Sequence, residues 1–420
     1  MKMLKGTPWK EGVEIERSPL LQGTIEADAA IVGGGLCGVV TAYLLAKAGK
    51  KAVILEKKKV GGGATEYTTA FLTQVIDTDI GDLREMFGDG KAALVLESHR
   101  KAIDLAEGIA RENGIECEFR RVPSFSYAND DIEREGLLAE AKAAEGMPID
   151  IEFLEDDALG FPNRGYLRAD GQAKFHPLKY LSKVLDAAKR LGVEVYEDSE
   201  VLDITGKGPY VVETAEGSVI AGKVIVASYG PLKKKLYFKK AFYDSYVIEA
   251  EVPSGAFPEG IYEDNMEPYH YFRVDPMGEK DRIIIGGEDH RSDVPVDELK
   301  SFAALIEYAE GLFAGVPHGI VRRWKGPIVE PVDGLAFIGP HKDPNIYYAT
   351  GFSGNGMTYS HIAASIITDH ITGKKNKYAE IYDAHRKPAF KHLIKKGRDY
   401  TEEFIGGAVK NSLKQRRKKS

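Results

Sequence analysis

The chain has 420 residues, 43% of them hydrophobic, and a formal net charge of −7 at pH 7. That length suits two or three domains, or one large interleaved pair, with enough apolar content for a sizeable core. The acidic balance argues against a general nucleic-acid binder, two cysteines exclude a disulfide framework and suit a reducing, cytoplasmic setting, and no uninterrupted apolar run is long enough to span a membrane.

Residues 1–24 are polar, with Pro8, Trp9 and Pro19, and are expected to lie as an arm over the surface. Ala29 to Val32 is a short apolar run of buried-strand length. Gly33, Gly35 and Gly38 then fall at G-x-G-x-x-G spacing, with Leu36 and Cys37 inside it. The first glycine permits a tight turn, the second lets a pyrophosphate approach the backbone, and the third lets the next helix pack on the strand. That helix runs from Val39 to Ala48 and stops at Gly49. Its free N–H groups and positive dipole end suit phosphate. Lys51 to Leu55 is a second strand, and Glu56 at its end is placed to accept hydrogen bonds from a ribose. Lys57 adjoins that position, although the run Lys57 to Lys59 also suits a solvated face. Gly61 to Gly63, Ala64 and Thr65, followed by Thr68 and Thr69, would let backbone lie against a ligand.

Asp89 to Asn113 has helical periodicity and ends at an Asn-Gly stop. Glu116 to Tyr127 alternates as a strand, Ile132 to Glu145 is helical, and Phe175-His176-Pro177 precedes a helix over Leu178 to Leu191. Four strands follow, at Val193 to Tyr196, Glu200 to Ile204, Tyr210 to Thr214 and Lys223 to Ala227. In a dinucleotide-binding sheet these would bring Val201, Ala227, Ser228 and Gly230 near the cofactor. Residues 237–330 differ in texture, with aromatic strand-like runs and one helix from Val296 to Phe313, which predicts an inserted antiparallel sheet. Asp333 to Pro340, containing Gly339, is a further informative stretch, and a strand from Ile346 follows it. A Gly-rich turn with Gly351, Gly354, Asn355, Gly356, Met357 and Thr358 then opens a helix to Ile371. Such a helix start stabilises negative charge. The ten histidines show no paired metal-ligand spacing, so no metal is expected.

Taken together, the opening fingerprint, Gly61 to Thr73, Asp333 to Pro340 and Ala349 to Met357 resemble the FAD-dependent oxidoreductases of the D-amino-acid oxidase family. The likeness covers roughly residues 25–385 and is nearest to the subgroup similar to gamma-glutamylputrescine oxidase, including members that carry a C-terminal Rieske domain. The resemblance implies an α/β fold, a Rossmann-type FAD-binding domain interleaved with an antiparallel β-sheet plus helix substrate domain. The FAD-binding domain would comprise 25–125, 165–236 and 331–385, and the substrate domain 126–164 and 237–330. A basic tail, 386–420, is expected either to be solvated or to dock on an acidic electron-accepting partner or an anionic membrane surface.

The resemblance implies hydride transfer from a C–H beside an amine nitrogen to flavin N5, with an amine or amino-acid-like small molecule as substrate. It places Tyr269, His270, Tyr271, Arg273 and His290 of the substrate sheet as candidates to touch that substrate. The sequence departs from the family pattern in three ways. Cys37 and Cys117 cannot supply the two Cys and two His ligands of a Rieske centre. The position of the family's carboxylate-binding Arg falls at about Ile328. No cysteine follows Cys117, which implies non-covalent FAD, and Arg282 to Ile285 lacks the Lys that activates oxygen in sarcosine oxidases. Two alternatives stay open: an FAD dehydrogenase of a hydroxy acid or polyol phosphate donating to a quinone or protein carrier, and a non-catalytic flavoprotein subunit. The oligomeric state is left open.

Overall fold

A computed structural model of the chain describes residues 3–228, 240–266, 268–331 and 333–386. The chain opens with a two-residue strand, β1 (Leu4–Lys5), and a 3-10 turn at Pro8–Lys10. The fingerprint unit follows as β2 (Gly23–Val32), α1 (Leu36–Lys47) and β3 (Ala52–Leu55). A short helix α2 (Ala64–Tyr67) and strand β4 (Phe71–Leu72) lead into two helices, α3 (Ile80–Phe87) and α4 (Asp89–Glu112). Next come β5 (Arg120–Tyr127), α5 (Asp131–Ala143), β6 (Ile151–Leu154), β7 (Tyr166–Lys174) and α6 (Pro177–Arg190). Strands β8 (Glu194–Tyr196), β9 (Asp203–Gly206), β10 (Tyr210–Glu213) and β11 (Gly217–Val226) complete the first half. The second half contains β12 (Lys240–Pro253), β13 (Ile261–Asp264), β14 (His270–Pro276), β15 (Lys280–Arg291) and α7 (Glu298–Leu312). It ends with β16 (Gly319–Pro331), β17 (Phe337–His341), β18 (Asp343–Thr350) and α8 (Gly356–Ile371).

The strands form two sheets. The smaller runs β17-β18-β11-β2-β3-β8, with β9 and β10 attached to β11. From β18 to β8 its strands are parallel. Parallel strands are buried on both faces, and β2 has that character. Ala29 and Ile31 pack with helices α1, α6 and α8, whereas Ala30 and Val32 join Val53, Leu55, Tyr210 and Val212 on the other side. The larger sheet runs β1-β16-β12-β15-β14-β13-β5-β7-β4, with β6 on β7. Its central pairings β16-β12-β15-β14 are antiparallel. One face of it carries Phe272, Val274, Ile283 and Ile285 against Phe302, Leu305 and Phe313 at α7. The opposite face points at the cofactor-type unit, because successive strand residues alternate sides.

One expectation about organisation changes here. Strands β5 and β7, expected mainly in the dinucleotide-binding segments 25–125 and 165–236, pair with each other inside the larger sheet, where β5 also pairs with β13. A strand pairs with whatever edge shares its register, so chain position does not assign it. The N-terminal segment lies over the surface as expected, with most of residues 10–24 exposed, but it is pinned at its start. β1 pairs with β16 and Trp9 is 0% exposed, because its large ring fills the space between the two units. The basic tail beyond Arg386 lies outside the described residues, as does Gly230.

Candidate functional site

A cavity of about 540 Å³ opens between the two sheets. Its wall includes Gly33, Gly35, Leu36, Cys37, Glu56, Lys57, Gly63, Ala64, Thr65, Thr68, Thr69, Val201, Ala227, Ser228, Gly351, Gly354, Gly356 and Met357. At the carboxyl end of β2 the chain turns, and the first turn of α1 faces the space. Gly38 is not on the wall. A Cβ there would sit 2.0 Å from the Gly33 carbonyl oxygen, so glycine is required for helix α1 to meet the turn. The Glu56 carboxylate is fixed by two backbone donors, the N–H of Gly34 at 2.7 Å and that of Lys58 at 2.9 Å. The N–H of Leu36 donates to Thr65 Oγ1 at 3.0 Å, which ties the Gly63–Thr65 stretch to the fingerprint.

The start of α8 forms another part of the wall. Asn355 and Thr358 stand behind it rather than on it. Thr73 donates from Oγ1 to Asn355 Oδ1 at 2.9 Å and from its N–H to Thr358 Oγ1 at 3.1 Å. Asn355 Nδ2 donates to Asp77 at 3.0 Å. Gly339 is elsewhere: it borders a separate cavity of about 310 Å³ with Tyr347, Ile367 and His370, because β17 lies at the sheet edge. Asp333, from the same motif, is buried and paired with Arg386 at 2.6 Å.

The larger sheet supplies Ser245, Val247, Tyr271, Gly326, Pro327, Ile328 and Val329 to the wall. Of the five candidates to touch substrate, Tyr271 alone is among them, and Tyr269 lies behind it. The Tyr271 hydroxyl lies 3.1 Å from Ser245 Oγ, its ring meets Phe71 edge-on, and burial raises its ionisation above the ordinary tyrosine range. Gly286 on β15 makes room for it, since a Cβ would fall 2.3 Å from the ring.

His270, Arg273 and His290 lie off the wall and are corrections. His270 precedes Tyr271 on β14 and therefore faces away, stacked on Tyr308 at 3.9 Å. Burial opposes its charge, but Asp264 and Glu288, each 3.2 Å away, raise its pKa. His290 stacks on Tyr246 at 5.4 Å, off the wall. Arg273 is 1% exposed and saturated: it meets Asp275 at 2.8 Å and donates to the carbonyls of Thr69, Ala70 and Phe175. Burial disfavours the Asp275 charge, yet Arg273, Lys174 and Arg282 hold its carboxyl well below the usual range.

A family model described as FAD dependent oxidoreductase matches residues 28–370. The chain belongs to this family. The oxidoreductase is 29% identical over 411 residues to a Bacillus subtilis (strain 168) protein that bears the name Rieske 2Fe-2S iron-sulfur protein YhfW, spanning 96% of this chain and 80% of that one. It is 26% identical to gamma-glutamylputrescine oxidoreductase of Escherichia coli (strain K12), over 89% of this chain and 88% of that protein. Among solved structures, glycine oxidase from Geobacillus kaustophilus shares the fold with a TM-score of 0.72 at 21% identity, over 86% of this chain and 99% of that one.

The residues present fit FAD. The oxidoreductase directs two helix starts at one cavity, and neither N-cap residue makes a side-chain capping bond. Such ends favour phosphate and other anionic groups. Glu56 presents a preset acceptor beside the fingerprint turn, as a ribose requires. The wall at Ser245, Val247, Tyr271 and Ile328 is mostly apolar, as a ring system requires. Cys37 is the cysteine on the wall, and burial pushes its thiol up to about 12, so it stays protonated. Among the described residues no helix is long and apolar enough to cross a membrane, and no group of three or more His, Cys, Asp or Glu could hold a metal ion.

Sequence reasoning missed the contributions of β12 and β16 to this wall apart from Ile328. It also missed Lys240, a buried ammonium that donates to Thr350 at 2.7 Å and that burial lowers to about 8. No local motif marks these positions. The wall positions come to the cavity only through the register of the larger sheet, and Lys240 stands behind the wall residue Thr350.

Proposed function

We propose that the oxidoreductase oxidises the C–N bond of an amine that it does not grip by a carboxylate, with FAD held non-covalently. Bound FAD supplies the hydride acceptor. The chain's own residues bind and orient. The cofactor-binding set is the fingerprint turn, Glu56, the Gly63–Thr69 stretch and the start of α8. The substrate lies against Tyr271, Ser245 and Ile328.

The observation that carries this reading is the charge around that end of the cavity. Among the described wall residues the one cation is Lys57, beside Glu56. Ile328 stands where the family resemblance implies a carboxylate-binding Arg. Carboxylates gather behind Tyr271 instead. Tyr269 donates to Asp289 at 3.3 Å and its ring stacks near Tyr271 at 5.7 Å. Burial pushes the Asp289 carboxyl up to about 6 and the Glu263 carboxyl up to about 7, with Asp77 adding to both. Ionised, these groups attract a cationic amine and repel a free carboxylate. The names of the relatives, gamma-glutamylputrescine oxidoreductase and glycine oxidase among them, agree with C–N oxidation. Two buried, unpaired cysteines support a cytoplasmic location.

Anaerobic titration of the yellow holoprotein tests the proposal. Amines should bleach the visible flavin absorbance, and acid should release all of the FAD. Bleaching by hydroxy acids alone, or by no donor, overturns the substrate class. Colour retained in the acid precipitate overturns the non-covalent attachment. Re-oxidation of the bleached protein by oxygen, a quinone or a carrier protein identifies the electron acceptor.

A further inference from the structure

The loop after α2 lines the cavity through Tyr67, Thr68 and Thr69, and its backbone is held in an unusual way. Four successive carbonyls are each taken by a side chain from a distant element. The Tyr67 carbonyl accepts from Trp324 Nε1 at 3.0 Å, on β16. The Thr68 carbonyl accepts from Trp9 Nε1 at 2.7 Å, in the N-terminal segment. The carbonyls of Thr69 and Ala70 accept from Arg273 Nη1 at 3.0 and 3.1 Å, on β14. The chain contains two tryptophans, and both are spent on this loop.

The clamp is itself buried and braced. Trp9 lies with its ring 5.3 Å from the Arg273 guanidinium, 5.4 Å from that of Arg282 and 5.1 Å from the His176 ring. Lys10, the next residue, pairs with the buried Glu66 of α2 at 2.6 Å. Ala70 adopts φ 63, a left-handed conformation that a non-glycine residue keeps only when its surroundings impose it.

In a trans peptide the carbonyl and the following N–H point in opposite directions. With the Tyr67 and Thr68 carbonyls drawn outward to the indoles, the N–H groups of Thr68 and Thr69 turn the other way. Neither meets an acceptor among the described residues, whereas the next one, Ala70 N–H, donates to Thr68 Oγ1 at 2.9 Å. Two adjacent donors left without a protein acceptor, on half-buried residues that line a cavity, are free to meet a ligand acceptor.

We propose that Trp9, Trp324 and Arg273 are positioning residues that preset the Thr68 and Thr69 N–H groups as hydrogen-bond donors to the bound cofactor. The N-terminal segment thereby becomes a working part of the cofactor site. The proposal rests on the cavity being the FAD site.

Residue-resolved amide hydrogen exchange on the full chain, with and without FAD, provides the test. In the wild type, FAD should slow exchange at Thr68 and Thr69 by at least tenfold. Trp9→Phe and Trp324→Phe keep an aromatic ring and delete the donor. Each should weaken FAD binding three- to tenfold and speed exchange at 67–70 in the holoprotein. The double variant should lose more than either single one. Unchanged FAD affinity and exchange in the double variant would show that the indoles only fill space. Wild-type protein that binds FAD while Thr68 and Thr69 exchange as fast as in the apoprotein overturns the proposal without any variant. Wild-type protein that takes up no FAD overturns the reading of the cavity itself, and the proposal with it.

Discussion

The Gly33–Gly38 turn and the Tyr67–Ala70 loop line one cavity, but they are held in opposite ways. The turn is held locally: Gly34 and Leu36 find their side-chain partners, Glu56 and Thr65, only 22 and 29 residues away. The loop is held from afar, by side chains 59, 204 and 257 residues distant. One support is a backbone geometry that small residues make possible. The other is a set of bulky donors delivered by the tertiary fold. Damage to the first should abolish cofactor binding outright, and damage to the second should loosen it by degrees.

The largest effect is expected at the turn. Gly38→Ala places a methyl group against the Gly33 carbonyl at 2.0 Å, so the variant should purify without FAD or fail to fold; a yellow, fully loaded variant would break the comparison. Next comes the charge network behind the loop. Asp275→Asn leaves Arg273, Lys174 and Arg282 without their shared carboxylate, and breaking a buried ion pair costs about 3 kcal/mol or more. Urea unfolding should register that loss at neutral pH. Because the folded carboxyl titrates below its ordinary 3.8, the stabilisation is present above that pH and disappears as pH falls through the folded value. The gap between wild type and variant should therefore narrow below about pH 4.

Glu56→Ala is a smaller change within the local support. Loss of charge-assisted bonds worth roughly 1.5–3 kcal/mol each should weaken FAD retention by at least tenfold in equilibrium dialysis. Unchanged affinity would reduce Glu56 to a brace for Gly34 and Lys58. The smallest effect concerns substrate. As pH rises through about 6, Asp289 gains its charge and KM for a cationic amine should fall about threefold. Asp289→Asn should flatten that profile without altering FAD affinity.

Much of the fold was legible because periodicity is a local signal. Helix α4, expected over Asp89 to Asn113, spans Asp89–Glu112, and α6 and α8 start within two residues of their expected positions. The fingerprint turn and Glu56 were legible for the same reason: a dinucleotide site of this kind is written in one continuous unit. The larger sheet was legible in texture and not in membership. Alternation marks β5 as a strand but carries no record of its partner, β13. His270 and Tyr271 illustrate the limit most sharply. Adjacent strand residues cannot both face one cavity, and only the register chooses between them. Trp9 offered no local pattern at all, only its size and rarity.

The pairing of β1 with β16, Leu4 opposite Arg322, carries a consequence for how the chain is made. Strands β5, β6 and β7 leave the ribosome with one another for company, and their further neighbour β13 is synthesised long afterwards. The unfinished sheet must wait with open edges, and such non-local pairing is slow and exposed to aggregation. The two main cores each draw buried residues from both halves of the chain. Nascent chains stalled before β16 is complete should therefore remain bound to chaperones, and release should coincide with the arrival of the last strands.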